Sequence, residues 1–292
     1  MKIAYLGPEG TVSHESVLSF FAGEHHEFVP YRLIPDVIRA TAEGHVDLGI
    51  VPIENTIEGS VKDSVDMLVH EVELPIHAEW IYPSLQNLIG YRSEYETDRN
   101  GNLDFTKVQK VLSKDVAIGQ CTTFLKAHMP QSELEFSAST SEGVRLVKAN
   151  PGKGWTAIGT KLSAKLHGLD VLADHIMDHD NNYTRFIVVG HEPPALPPSS
   201  DVKTTLLITL PEDYPGALHQ VLSTFAWRKI NLTRIESRPT RMKLGSYYFY
   251  IDVEGSLNSV LIPAAIKEIE AIGCQVRMLG SYPCYPYPEQ SL

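Results

Sequence analysis

The sequence predicts an α/β chain of two domains, on three observations. Short apolar strands alternate with polar turns and helical stripes over the first 190 residues. A proline-dense spacer follows, His191 to Ser200, with Pro193-Pro194 and Pro197-Pro198. Beyond it the elements read βαββαβ, the ferredoxin-like order. A chain of 292 residues suits two cores better than one. Its 43% hydrophobic and 21% charged residues are an ordinary globular mix. The net charge of −11 argues against nucleic acid or an anionic membrane as partner. The same charge repels anionic substrates at long range, so an anion site needs local donors. Cys121, Cys274 and Cys284 are odd in number and far apart, which fits neither a disulfide framework nor a zinc cluster and suits a reducing cytoplasm. The amino end has no secretory h-region, and no apolar run approaches the roughly 20 residues of a membrane helix.

Lys2 to Leu6 reads as a strand, Gly7 to Thr11 as a turn, and Ser13 as a helix N-cap. A glycine-bearing turn between strand and helix exposes N–H groups and the positive end of a helix dipole, which suits an anion. It matches neither a P-loop nor GxGxxG. Ile34 to Glu43 has helical spacing, and Leu48 to Pro52 is a buried strand opening onto the polar loop Ile53 to Ser60. Val61, Val65, Leu68 and Val69 form a helix stripe. Two such strand–turn–helix units argue for parallel strands.

Ile76 to Tyr82 and Leu88 to Tyr91 are extended. Ser93 to Asp104, with Asn100-Gly101-Asn102, reads as an exposed excursion. Then come a strand at Lys110 to Ser113, one helix from Asp115 to His128 carrying Gln120, a strand at Leu134 to Ser137 and a helix at Thr140 to Ala149. Ala157-Ile158, the helix Thr160 to His167, and strands at Leu169 to Ala173 and Arg185 to Gly190 complete the domain. The second domain offers strands at Lys203 to Leu210, Leu232 to Ser237, Ser246 to Val253 and Gln275 to Leu279, with helices at Pro215 to Arg228 and Leu257 to Ile272. The boundaries are 1–190, a linker at 191–201, a second domain at 202–282 and a tail at 283–292.

The polar stretch Asn181-Asn182-Tyr183-Thr184-Arg185-Phe186 feeds the last strand of the first domain. Polar groups at the mouth of a buried strand are where open α/β sheets place their sites. Arg185 has the planar fork that fixes a carboxylate, and Thr184 can donate to a leaving oxygen. Asp174-His175 and Asp178-His179-Asp180 imitate metal ligands but lack a third partner, and read as a solvated helix end and loop.

Several motifs stand in one order: Gly7-Pro8-Glu9-Gly10-Thr11, Pro52-Ile53-Glu54-Asn55, Glu58-Gly59-Ser60-Val61, Ser113, Gln120-Cys121 and Asn182-Tyr183-Thr184-Arg185-Phe186. Together they resemble the prephenate dehydratases, over residues 3–190. The second domain, over 202–282, resembles an ACT regulatory domain through Gly216-Ala217-Leu218 and Glu236-Ser237-Arg238-Pro239. Thr56 stands where the family usually has Ser, Lys114-Asp115 where it has His-Pro, and His219 where it has Val. No chorismate mutase segment precedes residue 1, so a monofunctional enzyme is expected.

The resemblance implies a two-lobed catalytic domain like the periplasmic binding proteins, and decarboxylating dehydration of prephenate to phenylpyruvate without metal or redox cofactor. It implies Thr184, Asn55, Ser113 and Gln120 as the catalytic network, with Thr184 serving the leaving hydroxyl. Gly10, Thr11, Glu58, Gly59, Ser60, Arg185 and Phe186 are expected around the substrate. Phenylalanine is the expected effector, held by Gly216, Ala217, Leu218, Asn231, Leu232, Glu236 and Ser237 at an ACT–ACT interface of a homodimer or homotetramer. An arogenate dehydratase and a non-catalytic amino-acid sensor are the other readings. A sensor has no use for Thr184, Asn55 and Gln120 together, whereas prephenate and arogenate are not distinguished by the residues.

Overall fold

The computed structural model describes residues 1–23, 25–97, 103–212, 214–242 and 245–287 of the 292-residue chain. The Asn100-Gly101-Asn102 part of the expected excursion and the end of the tail from residue 288 lie outside the described residues.

The first lobe runs β1 (Lys2–Leu6), α1 (Val12–Phe20), β2 (Glu27–Tyr31), α2 (Ile34–Ala42), β3 (Leu48–Asn55), β4 (Gly59–Ser60) and α3 (Lys62–Asp66). A π-helical stretch, Met67–Glu71, continues α3, and β5 (Ile76–Pro83) leaves the lobe. The second lobe holds β6 (Asn87–Gly90), β7 (Lys110–Ser113), α4 (Asp115–Gly119), α5 (Thr122–His128), β8 (Glu133–Phe136), α6 (Thr140–Lys148), β9 (Trp155–Gly159), α7 (Lys161–His167) and β10 (Asp170–Ala173). The chain then returns to the first lobe as β11 (Tyr183–Gly190). The second domain is β12 (Val202–Thr209), α8 (Ala217–Trp227), β13 (Leu232–Pro239), β14 (Tyr247–Glu254), α9 (Leu261–Ala271) and β15 (Gln275–Tyr285). Its order is the expected βαββαβ.

Both lobes have mixed sheets rather than the parallel ones expected. β1 pairs in parallel with β2 and β3, but β11 runs antiparallel to β3 and β5 because it is the returning strand. In the second lobe β7, β8 and β9 are parallel, and β6 and β10 antiparallel. Thr11, not Ser13, caps α1, its hydroxyl accepting from His14 N. The helix expected over Asp115 to His128 is broken at Gln120-Cys121 into α4 and α5. Asp178 fills the break: its N–H donates to Gln120 O at 2.7 Å and its carboxylate accepts from Thr123 N at 2.9 Å. That capping explains one half of the metal-like pattern, and Asp174 pairs with Lys161 at 3.2 Å.

β15 runs past Leu279 to Tyr285, so the first residues assigned to the tail are strand. It pairs with β12 through Pro283 and then, at Cys284 and Tyr285, with Glu79 and Trp80 of β5. One sheet, ordered β13-β14-β12-β15-β5-β11-β3-β1-β2, thus crosses the domain boundary. Gly280 makes this possible: a Cβ there would stand 2.3 Å from Ile76 O. One apolar core spans the seam, with Ile187 and Val189 packed among Leu207, Tyr250, Leu279 and Tyr282. The other face of the first-lobe sheet packs Phe186, Val188 and Trp80 against Val17 and Phe21 of α1 and the residue after it. Among the described residues no helix is long and apolar enough to cross a membrane.

Candidate active site

The two lobes are joined by two crossings, Ser84-Leu85-Gln86 and residues 174–182, which meet at Ser84 and Asn182. Ser84 N donates to Asn182 O at 2.8 Å, and Asn182 Nδ2 to Ser84 O at 3.3 Å. Thr184 follows immediately on β11, opposite Asn55 on β3. The register between these strands slips between Arg185 and Phe186, leaving Ile53 as the extra residue of a bulge. Bulges re-aim side chains, and this one brings Asn55 and Thr184 face to face as a cross-strand pair.

A continuous network results. Asn55 Nδ2 donates to Thr184 Oγ1 at 3.0 Å, to Asn182 Oδ1 at 3.0 Å and to Tyr183 O at 3.1 Å. Asn55 Oδ1 accepts from Ile57 N and Glu58 N, each at 2.9 Å, which fixes the amide's orientation. Asn182 Nδ2 reaches Gln120 Oε1 at 3.0 Å, so the break between α4 and α5 delivers a second-lobe side chain to the hinge. Ser84 Oγ lies 2.7 Å from Thr184 Oγ1. The Thr56 hydroxyl donates to Asn181 O at 2.6 Å and accepts from Tyr183 N at 2.9 Å. The Thr-for-Ser departure therefore keeps a hydroxyl that is in use.

Asn55, Gln120 and Thr184 are thus brought together. Ser113 is not among them: it is 0% exposed and its hydroxyl donates to Ile158 O at 2.7 Å, fastening β7 to β9. Ser84 and Asn182 were given no role by the sequence. Asn182 carried a signal, as part of a polar motif; Ser84 is a lone serine at a strand end and carried none.

Arg185 departs furthest from expectation. Side chains alternate along a strand, so with Thr184 on the cleft side Arg185 points to the second domain. Its Nη1 lies 2.8 Å from Glu79 Oε2 and 2.8 Å from Asp252 Oδ2, and its Nη2 3.0 Å from Glu54 Oε2. Burial by itself disfavours the charged guanidinium, but Asp252 and then Glu79 more than reverse this and raise its pKa. Lys203 closes on the other oxygen of Glu79, and Thr205 Oγ1 donates to Asp252 Oδ1 at 2.7 Å. Burial, then Glu79, pushes the adjoining Cys284 thiol up to about 12. This fork is occupied by the protein's own carboxylates.

The other substrate candidates have structural partners too. Gly10 N donates to His14 Nδ1 at 3.0 Å, and Gly10 O accepts from Thr160 Oγ1 of the second lobe at 2.8 Å. Gly10 has φ +80°, and a Cβ there would stand 2.9 Å from Ser163 Oγ. Thr11 Oγ1 donates to Pro8 O at 3.0 Å. Gly59 pairs with Asn55, and Ser60 Oγ donates to Glu236 Oε2 at 2.7 Å. Phe186 is buried and stacked on Trp80, centroids 5.6 Å apart, behind the site; a fully buried Phe contributes about 1.5–3 kcal/mol to holding the strand there.

In the second domain Gly216, with φ +95°, and Ala217 and Leu218 begin α8, and Asn231 and Leu232 follow its far end. Its 11 residues separate the two groups by about 16 Å. Glu236 faces the first domain, bound by Ser60, by Arg234 Nη2 at 2.6 Å and by Arg238 Nη2 at 2.8 Å; Ser237 alternates outward and is exposed.

The model of the prephenate dehydratase family matches residues 3–194, and that of the ACT domain residues 204–272. The chain is 40% identical to a prephenate dehydratase of Bacillus subtilis over 98% of its own length and 99% of the relative's. It is 39% identical to one from Lactococcus lactis subsp. cremoris, over 99% and 100%. Among solved structures, a prephenate dehydratase from Arthrobacter aurescens in complex with L-Phe superposes with a TM-score of 0.84 at 29% identity, covering 97% of this chain and 90% of that one. A structure described as a novel type of quorum-quenching acylase superposes with 0.82 at 26% identity, over 99% of both, so the fold by itself does not fix the chemistry. The family model, the curated relatives and the two domains in this order do: the chain belongs to the prephenate dehydratase family of lyases, here joined to an ACT domain.

Proposed function

We infer that Thr184 meets the departing hydroxyl of prephenate, and that Asn55, Asn182 and Gln120 hold it there. Prephenate is a dianion carrying a carboxylate and a hydroxyl across a cyclohexadiene ring. In the reaction the ring carbon–carboxylate bond breaks and its electron pair enters the ring. The carbon–hydroxyl bond breaks on the far side, and the hydroxide takes one proton to become water. Carbon dioxide, water and the phenylpyruvate monoanion result. Aromatisation supplies the driving force, so the protein's task is to orient two carboxylates and receive the leaving oxygen. The single observation that carries this reading is the Asn55–Thr184 pair, whose amide is fixed from behind by two backbone N–H groups. A Thr hydroxyl is too weak an acid to act as a free proton source; it serves as an oriented donor.

With Arg185 engaged elsewhere, the substrate's negative charge is best met by helix N-termini. Those of α1 and α6 converge on the Gly10 turn, where Ser141 Oγ donates to Glu9 O. Phenylalanine is the natural effector, since the similar Arthrobacter structure carries L-Phe. A pocket made from Gly216–Leu218 and from Asn231–Leu232 needs two chains, because α8 holds these groups apart. We place phenylalanine there, in a homodimer or a pair of dimers, and the enzyme in the cytoplasm. The test is conversion of prephenate to phenylpyruvate by the purified chain in excess EDTA, with arogenate as the competing substrate. Faster turnover of arogenate, or a rate that needs an added divalent ion, overturns this reading.

A further inference from the structure

Thr184 Oγ1 has one hydrogen to give and two lone pairs to fill. Asn55 Nδ2 fills one lone pair. The remaining neighbour is Ser84 Oγ at 2.7 Å, a contact in which either oxygen can donate. If Thr184 donates to Ser84, its hydrogen is spent within the protein and none is left for a leaving group. If Ser84 donates to Thr184, both lone pairs are filled and the threonine hydrogen is turned outward. We propose that Ser84 is a positioning residue of the dehydration: it donates to Thr184 Oγ1 and so commits the threonine proton to the departing hydroxyl. This rests on the assignment of Thr184 to that hydroxyl.

Three features support it. Ser84 is 6% exposed and Thr184 8%, so water competes poorly for the bond between them. Chains of hydrogen bonds polarise one another, by about 10–30% per bond, which makes a twice-acceptor Thr184 a stronger donor. Ser84 is also gripped on both backbone atoms by Asn182, which holds its hydroxyl in place beside Thr184. A hydroxyl at this position completes the donor count, which an alanine would leave one short.

The experiment is a double-mutant cycle on prephenate turnover in the full chain. Ser84→Ala should lower kcat about tenfold, the worth of one ordinary hydrogen bond, while KM stays within about threefold, as expected for a contact used in the transition state. Ser84→Thr, which restores a hydroxyl, should recover most of that loss. In a Thr184→Ala background, Ser84→Ala should change kcat by less than about twofold, because a residue acting through Thr184 has nothing left to act on. Where Ser84→Ala does not fold, Ser84→Cys keeps the volume with a weaker donor and enters the same cycle. A kcat for Ser84→Ala within about twofold of the parent, or an equal loss in both backgrounds, overturns the proposal. If the parent chain itself does not turn over prephenate, it is the assignment of function that fails.

Discussion

Arg185 and Asp252 form an ion pair across the domain boundary, 2.8 Å between Nη1 and Oδ2, one residue from Thr184. Adjacent residues of β11 thereby serve opposite sides of the sheet. Thr184 belongs to the cleft and Arg185 to the seam with the ACT domain. The seam has a second contact, Ser60 to Glu236, on the same loop whose N–H groups fix Asn55. Through these contacts the second domain is joined to the strand that carries Thr184 and to the loop that fixes Asn55.

Removing the guanidinium should be costly. Arg185→Ala leaves Asp252 buried without a counter-charge and Glu79 with Lys203 alone, and a broken buried pair costs about 3–5 kcal/mol. Arg185→Lys cannot span three carboxylates with one ammonium and should recover only part. Denaturant unfolding monitored by circular dichroism gives both values; a loss below about 1 kcal/mol for the alanine variant, the range of an exposed pair, contradicts a buried cluster.

Thr184→Ala should lower kcat about 10²–10³-fold, as loss of an oriented donor does, and move KM little. Thr184→Ser should retain a measurable part of the rate. Steady-state kinetics on prephenate decides it, and a variant with raised KM and unchanged kcat speaks against the role.

Glu236→Gln should weaken the coupling between effector and active site. Its charge holds Ser60, Arg234 and Arg238 together. The affinity for phenylalanine, measured by calorimetry, should change less than the concentration needed for half-inhibition. Equal shifts in both would mean that Glu236 acts in the effector pocket alone.

Acid should loosen the Gly10 turn. His14 is buried, its Nδ1 accepts from Gly10 N, and burial, partly opposed by Glu9, lowers its pKa from 6.5. The unfolded chain therefore binds this proton more readily than the folded one. Stability is greatest above the unfolded pKa and falls as pH drops below about 6.5. His14→Asn keeps an acceptor that does not titrate, so its melting temperature should fall less between pH 7 and 5 than the parent's. Parallel curves would show that His14 plays no part.

Much of this was legible in the sequence. The alternation of strands and helices and the βαββαβ order came through because both are periodic signals. Thr184 and Asn55 stood out as polar residues beside buried strands, whereas Gln120 was read on a helix and its role came from the family resemblance alone. β2 was missed because it is a short, poorly buried edge strand carrying Pro30. The Gln120 break was missed because helical spacing continues across it. Arg185 was misplaced because a motif shows which residues are adjacent and not which face each one takes. That face depends on the register of β11 against β3 and β5 and on β15 reaching β5, contacts far apart in sequence. Ser84 is set by the same register and was equally invisible.

The division of labour along β11 is tested most directly by the double variant Arg185→Met/Asp252→Leu, which replaces the cross-boundary pair by apolar volume, a change a buried pair often tolerates. Kinetics on prephenate are measured with and without phenylalanine. The structure predicts a KM within about threefold of the parent and a response to phenylalanine that is largely lost. A KM raised more than about tenfold, with inhibition by phenylalanine intact, would mean that Arg185 grips the substrate after all.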